Sequence, residues 1–258
     1  ILGIGTASIK MAAEFEAQMD RVSAIANVKG EELEKLEERA KELGATTKYS
    51  SLEVAQGMEE LASAGFDANG IYGAMPGLLD LAASGNIDLA SAAEIAAAAF
   101  NGFGLTAPED IQHVADVIAE SSARTNASVD SMGYSFKYVA PYSAALNVSL
   151  EETAAAIGIL SDAGMKGTTA GTTLRGMFSR LAKPTEKAQE IMNDLGITVY
   201  DNEGKFRSIS DIIGIVSEKT LGLSEQEKNF ALSTIFGQQA LTGVLALMEA
   251  GPSKIDEL

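Results

Sequence analysis

A chain of 258 residues that is 46% hydrophobic, with 6% aromatic residues and no Trp, builds a core mainly from small aliphatic side chains. Its formal net charge of −17 is opposite in sign to the basic footprint of a nucleic-acid-binding protein, so specific nucleic-acid binding is not expected. The absence of Cys excludes disulfides and thiolate metal sites, and no segment approaches the ~18 uninterrupted apolar residues typical of a membrane span.

The first predicted elements are two amphipathic helices within residues 1–48. Apolar residues recur there every three or four positions, which places them on one face of a helix. The two sets are Phe15, Met19, Val22 and Ala26, then Leu33, Leu36, Ala40 and Leu43. Residues 1–48 are therefore predicted to form an N-terminal region of amphipathic helices, and residues 49–258 a globular helical core.

Short capped helices are predicted to fill the rest of the chain. Four hydroxyl residues are each followed three positions later by Glu, a pattern typical of a capping box at a helix N-terminus. These pairs are Ser50 with Glu53, Thr106 with Glu109, Ser149 with Glu152 and Ser224 with Glu227. The sequence predicts an all-α fold, a compact multi-helix domain of about a dozen short helices.

One segment departs from helical periodicity. The β-branched and aromatic residues of Ile197–Tyr200 precede a turn ending at Gly204, and Lys205–Arg207 follow. This pattern predicts a small β-hairpin over residues 197–207. Because a two-stranded ribbon is marginally stable alone, it is expected to pack against neighbouring helices.

Few residues offer catalytic chemistry. His113 is the single histidine, and its nearest carboxylates in the sequence are Glu109 and Asp116. A lone histidine in an amphipathic helix is typical of a surface or core position rather than of a metal site. Gly102-Phe103-Gly104 loosely matches a dinucleotide-binding fingerprint, but it follows an Ala-rich helix instead of the required strand.

Two further segments are interpreted as turns. Gly164–Thr173 is rich in Gly and Thr, but Lys166 is misplaced for a phosphate-binding loop, so a helix-to-helix turn is favoured. Asp201–Gly204 lacks the ligand spacing of a calcium loop. The sequence therefore predicts no catalytic, cofactor-binding or metal-ligating residues, and a protein that is not an enzyme.

Several segments, in order along nearly the whole chain, resemble the core region of tape measure proteins from tailed bacteriophages. They include Glu14–Glu16, Ala40–Gly44, Leu61–Phe66, Met75–Ala82, Ala163–Gly167, Ala170–Arg175 and Ile235–Gly237. The chain begins at Ile1 without Met, and it is interpreted as part of a longer protein.

The resemblance implies a structural role in the lumen of the phage tail. Such proteins set tail length during assembly and leave the tail at infection to assist genome passage through the host envelope. The expected partners are tail-tube and tail-tip proteins (distal tail or baseplate) and tail assembly chaperones, with a trimeric homo-oligomer and contact with the host membrane on ejection. The resemblance implies no catalytic residues and no cofactor in this region.

Other functions remain open at this stage. One alternative is a helical protein–protein adaptor, and another is an enzyme such as a lytic domain. A membrane-active helical domain is a third, motivated by the small residues of the Gly77–Gly104 and Ala154–Gly171 segments, although core packing is the favoured interpretation of those residues.

Overall fold

The computed structural model describes residues 2–258, and it describes side chains from residue 9 onward. Over this range the chain folds into fourteen α-helices, which confirms the predicted all-α class. The helices belong to two compact units. The first reaches Asn101 and includes Leu105–Ala119, and the second comprises Gly102–Gly104 and Glu120–Leu258. The predicted division into residues 1–48 and 49–258 stays a prediction.

The first unit is built around one central helix. Its helices before α6 are α1 (Leu2–Ala26), α2 (Glu31–Thr46), α3 (Ser51–Ser63), α4 (Ala68–Gly85) and α5 (Leu89–Gly102), of which only Gly102 falls in the second unit. Helix α3 packs against α1, α2 and α4. Its apolar face of Val54, Met58 and Leu61 is completely buried, and Ser50 and Glu53 form the predicted capping box at its start.

The second unit contains most of the remaining helices. Helix α6 (Asp110–Arg124) continues from the first unit into the second. The helices that follow it are α7 (Val129–Ala145), α8 (Leu150–Asp162), α9 (Thr168–Ala182), α10 (Glu186–Leu195), α11 (Ile209–Thr220), α12 (Glu225–Phe236), α13 (Gln238–Ala250) and α14 (Pro252–Glu257). Helices α7 and α9 share the most extensive packing. Helix α13 contacts α8, α9, α11, α12 and α14, and is thus central to this unit.

Small residues allow helices α7 and α9 to approach closely. Ser135 donates a hydrogen bond from its Oγ to the carbonyl oxygen of Gly167 at 2.8 Å, and the Ser131 Oγ accepts one from the Gly167 N–H at 2.8 Å. One turn into α9, a Cβ built on Gly171 would lie 2.4 Å from the Ser135 carbonyl oxygen. Since that neighbour is backbone, a side chain at position 171 would push the two helices apart.

The Ala-rich segments lie in the core. Ala92, Ala96 and Ala99 of α5 are completely buried, as are Ala154 and Ala156 of α8. Among the described helices, no single one is long and apolar enough to cross a membrane; α12 and α13 meet the length and composition criterion only as a pair, and that pair bends by 115°.

The predicted β-hairpin over residues 197–207 is wrong. The described segment contains one isolated antiparallel bridge, between Tyr200 and Phe206, and no strand. The Asp201 Oδ1 holds the turn by accepting from the N–H groups of Glu203 and Lys205, at 2.8 and 2.9 Å. Pairing stops there because Ser208 already caps α11, which leaves too few returning residues for a ladder.

We predict that Gly171→Ala destabilises the chain by roughly 2 to 3 kcal/mol, because the added Cβ overpacks the contact between α7 and α9. The measurement is the free energy of unfolding from urea titration monitored by circular dichroism.

Gly176 of the same helix provides the matched control. A Cβ built there meets nothing within 4 Å. Gly176→Ala is therefore expected to stabilise α9 by about 0.5 to 1 kcal/mol through helix propensity. Equal effects of the two substitutions would contradict the proposed close packing.

Candidate functional site

The residues considered first for chemistry do not converge on a site. His113 is exposed on α6, and Asp116, one turn later, accepts a hydrogen bond from the Gln112 Nε2 at 3.0 Å. Among the side chains that the structure describes, no group of three or more His, Asp or Glu residues is arranged to hold a metal ion. The prediction that the chain has no catalytic, cofactor-binding or metal-ligating residues stays a prediction.

The Gly-rich segments have structural roles. Gly102 ends α5, and a Cβ built on it would lie 2.8 Å from the Ala140 Cβ. Phe103 stacks edge-on against Phe136, with ring centroids 5.9 Å apart. Only the first part of Gly164–Thr173 is the predicted turn, because α9 begins at Thr168.

The first unit contains a cleft of about 720 Å³ between α2 and α4, called here the α2–α4 cleft. Its lining residues are Glu32, Lys35, Leu36, Glu38, Arg39 and Glu42 from α2 and Ala68, Asn69 and Tyr72 from α4. Three glutamates and two basic residues make this cleft acidic overall. Its size is within the range of small-ligand sites and of grooves that accept side chains of a partner protein.

Arg39 and Tyr72 form an interacting pair in this cleft. The Arg39 guanidinium carbon lies 4.8 Å from the centroid of the Tyr72 ring, and its Nη1 donates to the Glu42 carboxylate at 2.8 Å. The Arg39 Nε is buried without a hydrogen-bond partner. Buried polar atoms are usually paired, and because this atom is fully buried, the Arg39 side chain would have to move before an acceptor from another molecule could reach it.

The second unit exposes a row of tyrosines on α7. Tyr134, Tyr138 and Tyr142 follow one another at intervals of four residues, and they are 54%, 38% and 40% exposed. This spacing places them on one face of the helix, about 6 Å apart along its axis. Lys137 and Pro141 are exposed on the same face. These five residues are called here the tyrosine ridge.

Cations lie over the rings of this ridge. The Lys137 Nζ is 5.5 Å from the centroid of the Tyr134 ring, and the Arg175 guanidinium, from α9, is 5.7 Å from that of Tyr138. Tyrosine and arginine are the residue types enriched in the energetically important parts of protein interfaces. An exposed ridge of this composition is typical of a protein-binding surface.

Acidic residues are sparse in the sequence around the ridge, although the exposed Asp130 lies one turn before Tyr134 on α7. Residues 131–150 and 163–185, which include most of α7 and all of α9, contain no Asp or Glu; their basic residues are Lys137, Lys166, Arg175, Arg180 and Lys183. The whole chain has 36 acidic and 19 basic residues. These two segments are therefore richer in basic residues than the chain as a whole.

Glu152 has an unexpected role between helices. The Ser149 Oγ accepts from the Glu152 N–H at 3.1 Å, which is half of the predicted capping box. The carboxylate of Glu152 turns away instead and accepts from the N–H groups of Ile209 and Ser210 at the start of α11. Burial raises the pKa of Glu152, the two backbone hydrogen bonds oppose that rise, and Asp256 and Asp211 add to it.

The other predicted capping boxes differ in outcome. Ser224 and Glu227 form the predicted reciprocal pair at the start of α12. The box predicted at Thr106 and Glu109 is wrong, because α6 begins at Asp110 and Glu109 precedes the helix.

Comparison with known proteins identifies the family. The phage-related minor tail protein family matches residues 37–237. The chain belongs to this family. The tail protein is 48% identical over all 258 residues to the tape measure protein of Pneumococcus phage Dp-1. It is 31% identical over 252 residues, 95% of the chain, to the probable tape measure protein of Escherichia phage P2.

These matches confirm the resemblance to tape measure proteins that the sequence motifs predicted. The chain covers 22% of the Dp-1 protein and 31% of the P2 protein, so it corresponds to one region of much longer relatives. No solved structure matches this tail protein.

Sequence reasoning missed both surfaces of this tail protein. The predictions used apolar residues, which mark the buried faces of helices, whereas Tyr134, Tyr138 and Tyr142 mark the exposed face of α7. The signal was present in the regular four-residue spacing of these tyrosines within a stretch free of acidic residues. The α2–α4 cleft had no comparable signal, because it depends on the packing of two helices.

We predict that Glu152→Gln changes the pH dependence of stability. The pKa of Glu152 is raised in the folded tail protein, so its contribution to stability is fully present below the unfolded value of 4.5 and is lost as the pH rises through the folded value. The unfolding free energy of the original chain minus that of Glu152→Gln is therefore expected to fall as the pH rises above 4.5, and then to level off. Urea titrations at a series of pH values measure this difference.

Glu227 is the matched control, because its pKa is lowered by hydrogen bonds from the Ser224 side chain and backbone. Its stabilisation is present above the ordinary pKa and is lost as the pH falls, so the corresponding difference for Glu227→Gln should rise with pH. A difference that rises with pH for both variants would refute the raised pKa of Glu152.

Proposed function

We propose that this chain is the compact helical core of a tape measure protein, a structural part of the phage tail. The observation that carries the proposal is the 48% identity to the Dp-1 tape measure protein over the whole chain. The 31% identity to the P2 protein over 95% of the chain supports it from a second phage. The whole protein sets tail length during assembly and is released at infection to assist genome passage through the host envelope.

The proposed partners and location follow from the same role. The protein lies in the lumen of the tail, where it contacts the tail tube and the tail-tip proteins, and tail assembly chaperones hold it before assembly. A homo-oligomer, threefold by family resemblance, and contact with the host membrane on ejection belong to this proposal. The role is mechanical, and it requires no enzymatic activity of this region.

The dimensions of the helices indicate which part of the protein measures length. The longest described helix, α1, has 25 residues, which corresponds to about 38 Å at 1.5 Å per residue. The remaining described helices are shorter and pack into compact units. We therefore propose that the extended ruler lies outside this region, and that this region serves as an anchoring or initiating part near the tail tip.

We predict that in-frame deletions in the long helical sequence outside this region, made in the complete phage gene, shorten the tail by about 1.5 Å for each residue removed. Electron microscopy of purified virions measures the tail length. Tails of unchanged length after such deletions would contradict the proposed role.

A substitution within the core separates folding from length determination. Gly171→Ala in the complete gene is expected to reduce the number of assembled tails and to leave the length of those that form unchanged. A uniform change in tail length on Gly171→Ala would mean that this region itself sets the length.

A further inference from the structure

The segment between α10 and α11 presents unpaired backbone groups. Tyr200 and Phe206 face each other across the isolated antiparallel bridge. The two backbone hydrogen bonds of this pairing, each 2.9 Å long, join the residues before and after them rather than Tyr200 to Phe206. In such a pair the N–H and C=O groups point away from the partner. Among the described residues, none forms a hydrogen bond with the backbone N–H or C=O of Tyr200.

A cleft of about 340 Å³ lies along this free backbone, called here the edge cleft. Residues 197–200, the end of α9 and helix α10 line it, whereas residues 205–207 do not. The side chains of residues 197–200 alternate between buried and exposed. A cleft that contacts four such residues in a row therefore follows one edge of the chain. The edge opposite residues 205–207 is the one to which the N–H and C=O of Tyr200 point.

We propose that the edge cleft binds an extended, uncharged segment of a different protein, which pairs with Tyr200 as an added antiparallel strand. The residue of this segment that lies opposite Tyr200 exchanges two N–H···O=C hydrogen bonds with it. Because the chain bends at Val199, Tyr200 is the residue that fixes the position of the added strand. This site does not depend on the proposed length-setting role.

The composition of the edge cleft favours an uncharged segment. All ten residues that line it are uncharged, in a chain that is 21% charged. Its apolar lining includes Leu181, which is completely buried, and Met192, which is 3% exposed. Its polar side chains are neutral, such as the amides of Gln189 and Asn193. A charged side chain that enters this cleft loses hydration without gaining a partner of opposite charge, whereas a small apolar side chain gains by leaving water.

The recessed position of this edge argues against a second copy of the chain as the occupant. Pairing of two copies through this edge requires their Tyr200 backbones to meet, but in each copy α10 and the end of α9 line the same cleft. Elsewhere in the described part of the chain, short turns connect the helices. The described residues thus offer no free extended segment that could enter the cleft of another copy.

Fluorescence anisotropy of a labelled peptide tests the proposal. The probe is Thr-Val-Thr-Val-Thr, amidated at its C-terminus and labelled with fluorescein through a Gly-Ser linker. It is expected to bind the 258-residue chain saturably, with a dissociation constant below about 1 mM. Tyr200→Pro removes the outward N–H and should weaken binding by about tenfold or more. Tyr200→Ala is the matched control, because it loses the same ring but keeps the N–H, and it should retain the affinity within about threefold.

Both variants are expected to fold, because proline is tolerated where the N–H of a strand residue points away from its neighbour. Circular dichroism and urea titration measure this.

Methylated probes test the pairing on the unaltered chain. A strand directs its N–H groups alternately to its two edges, so N-methylation of both Val residues blocks one edge of the probe and N-methylation of two Thr residues blocks the other. Only one of the two methylated probes should lose about tenfold or more in affinity. Thr-Lys-Thr-Lys-Thr should also bind about tenfold more weakly than the Val probe, although the net charge of −17 attracts it.

Several outcomes would overturn the proposal. One is a Val probe that does not bind below about 1 mM. Others are equal losses for the two methylated probes, equal losses on Tyr200→Pro and Tyr200→Ala, or a Lys probe that binds as well as the Val probe. Sedimentation velocity of the chain alone examines the second copy. A dimer that Tyr200→Pro dissociates and Tyr200→Ala retains would assign the edge to self-pairing and also overturn the proposal.

Discussion

The close approach of helix backbones through small residues is the constraint on which this structure depends. With aromatic residues at 6% and no Trp, the chain has few large side chains to fill gaps between helices. Dispersion energy falls steeply with distance, so small side chains contribute only when the backbones that carry them are near one another. Gly171 against the Ser135 carbonyl, and Ala154 and Ala156 in completely buried positions of α8, meet this condition.

The same constraint determines what the second unit presents to solvent. Helix α7 uses Ser131 and Ser135 to join α9, which fixes its rotation about its own axis. Tyr134, Tyr138 and Tyr142 lie beside this contact on the exposed side of α7, where the Arg175 guanidinium of α9 reaches the Tyr138 ring. These tyrosines hold much of the aromatic surface that the core does not use. The surface available for binding is thus a consequence of how the core is packed.

The sequence allowed the helices to be predicted well, because their signals are local. Three- and four-residue spacings predicted the faces of α1 and α2 that bury Met19 and Val22, and Leu36, Ala40 and Leu43. Serine with glutamate three residues later predicted the starts of α3 and α12. Where the outcome depended on distant residues, the prediction was wrong. Glu152 fits the capping pattern, but the amides of α11, 57 residues later, bind its carboxylate instead. The β-hairpin was wrong because the cap of α11 begins immediately after Arg207.

We expect α7 and α9 to form the most stable part of the second unit, and native-state hydrogen exchange measures this most directly. If close packing through Gly167 and Gly171 organises the unit, the amides of α7 and α9 should exchange slowest, with nearly the same opening free energy, as one cooperative group. Helix α10, in which only Ala188 and Met192 are buried, should exchange much faster. Exchange of α9 at the rate of α10, or independently of α7, would show that the packing of these two helices does not organise the unit.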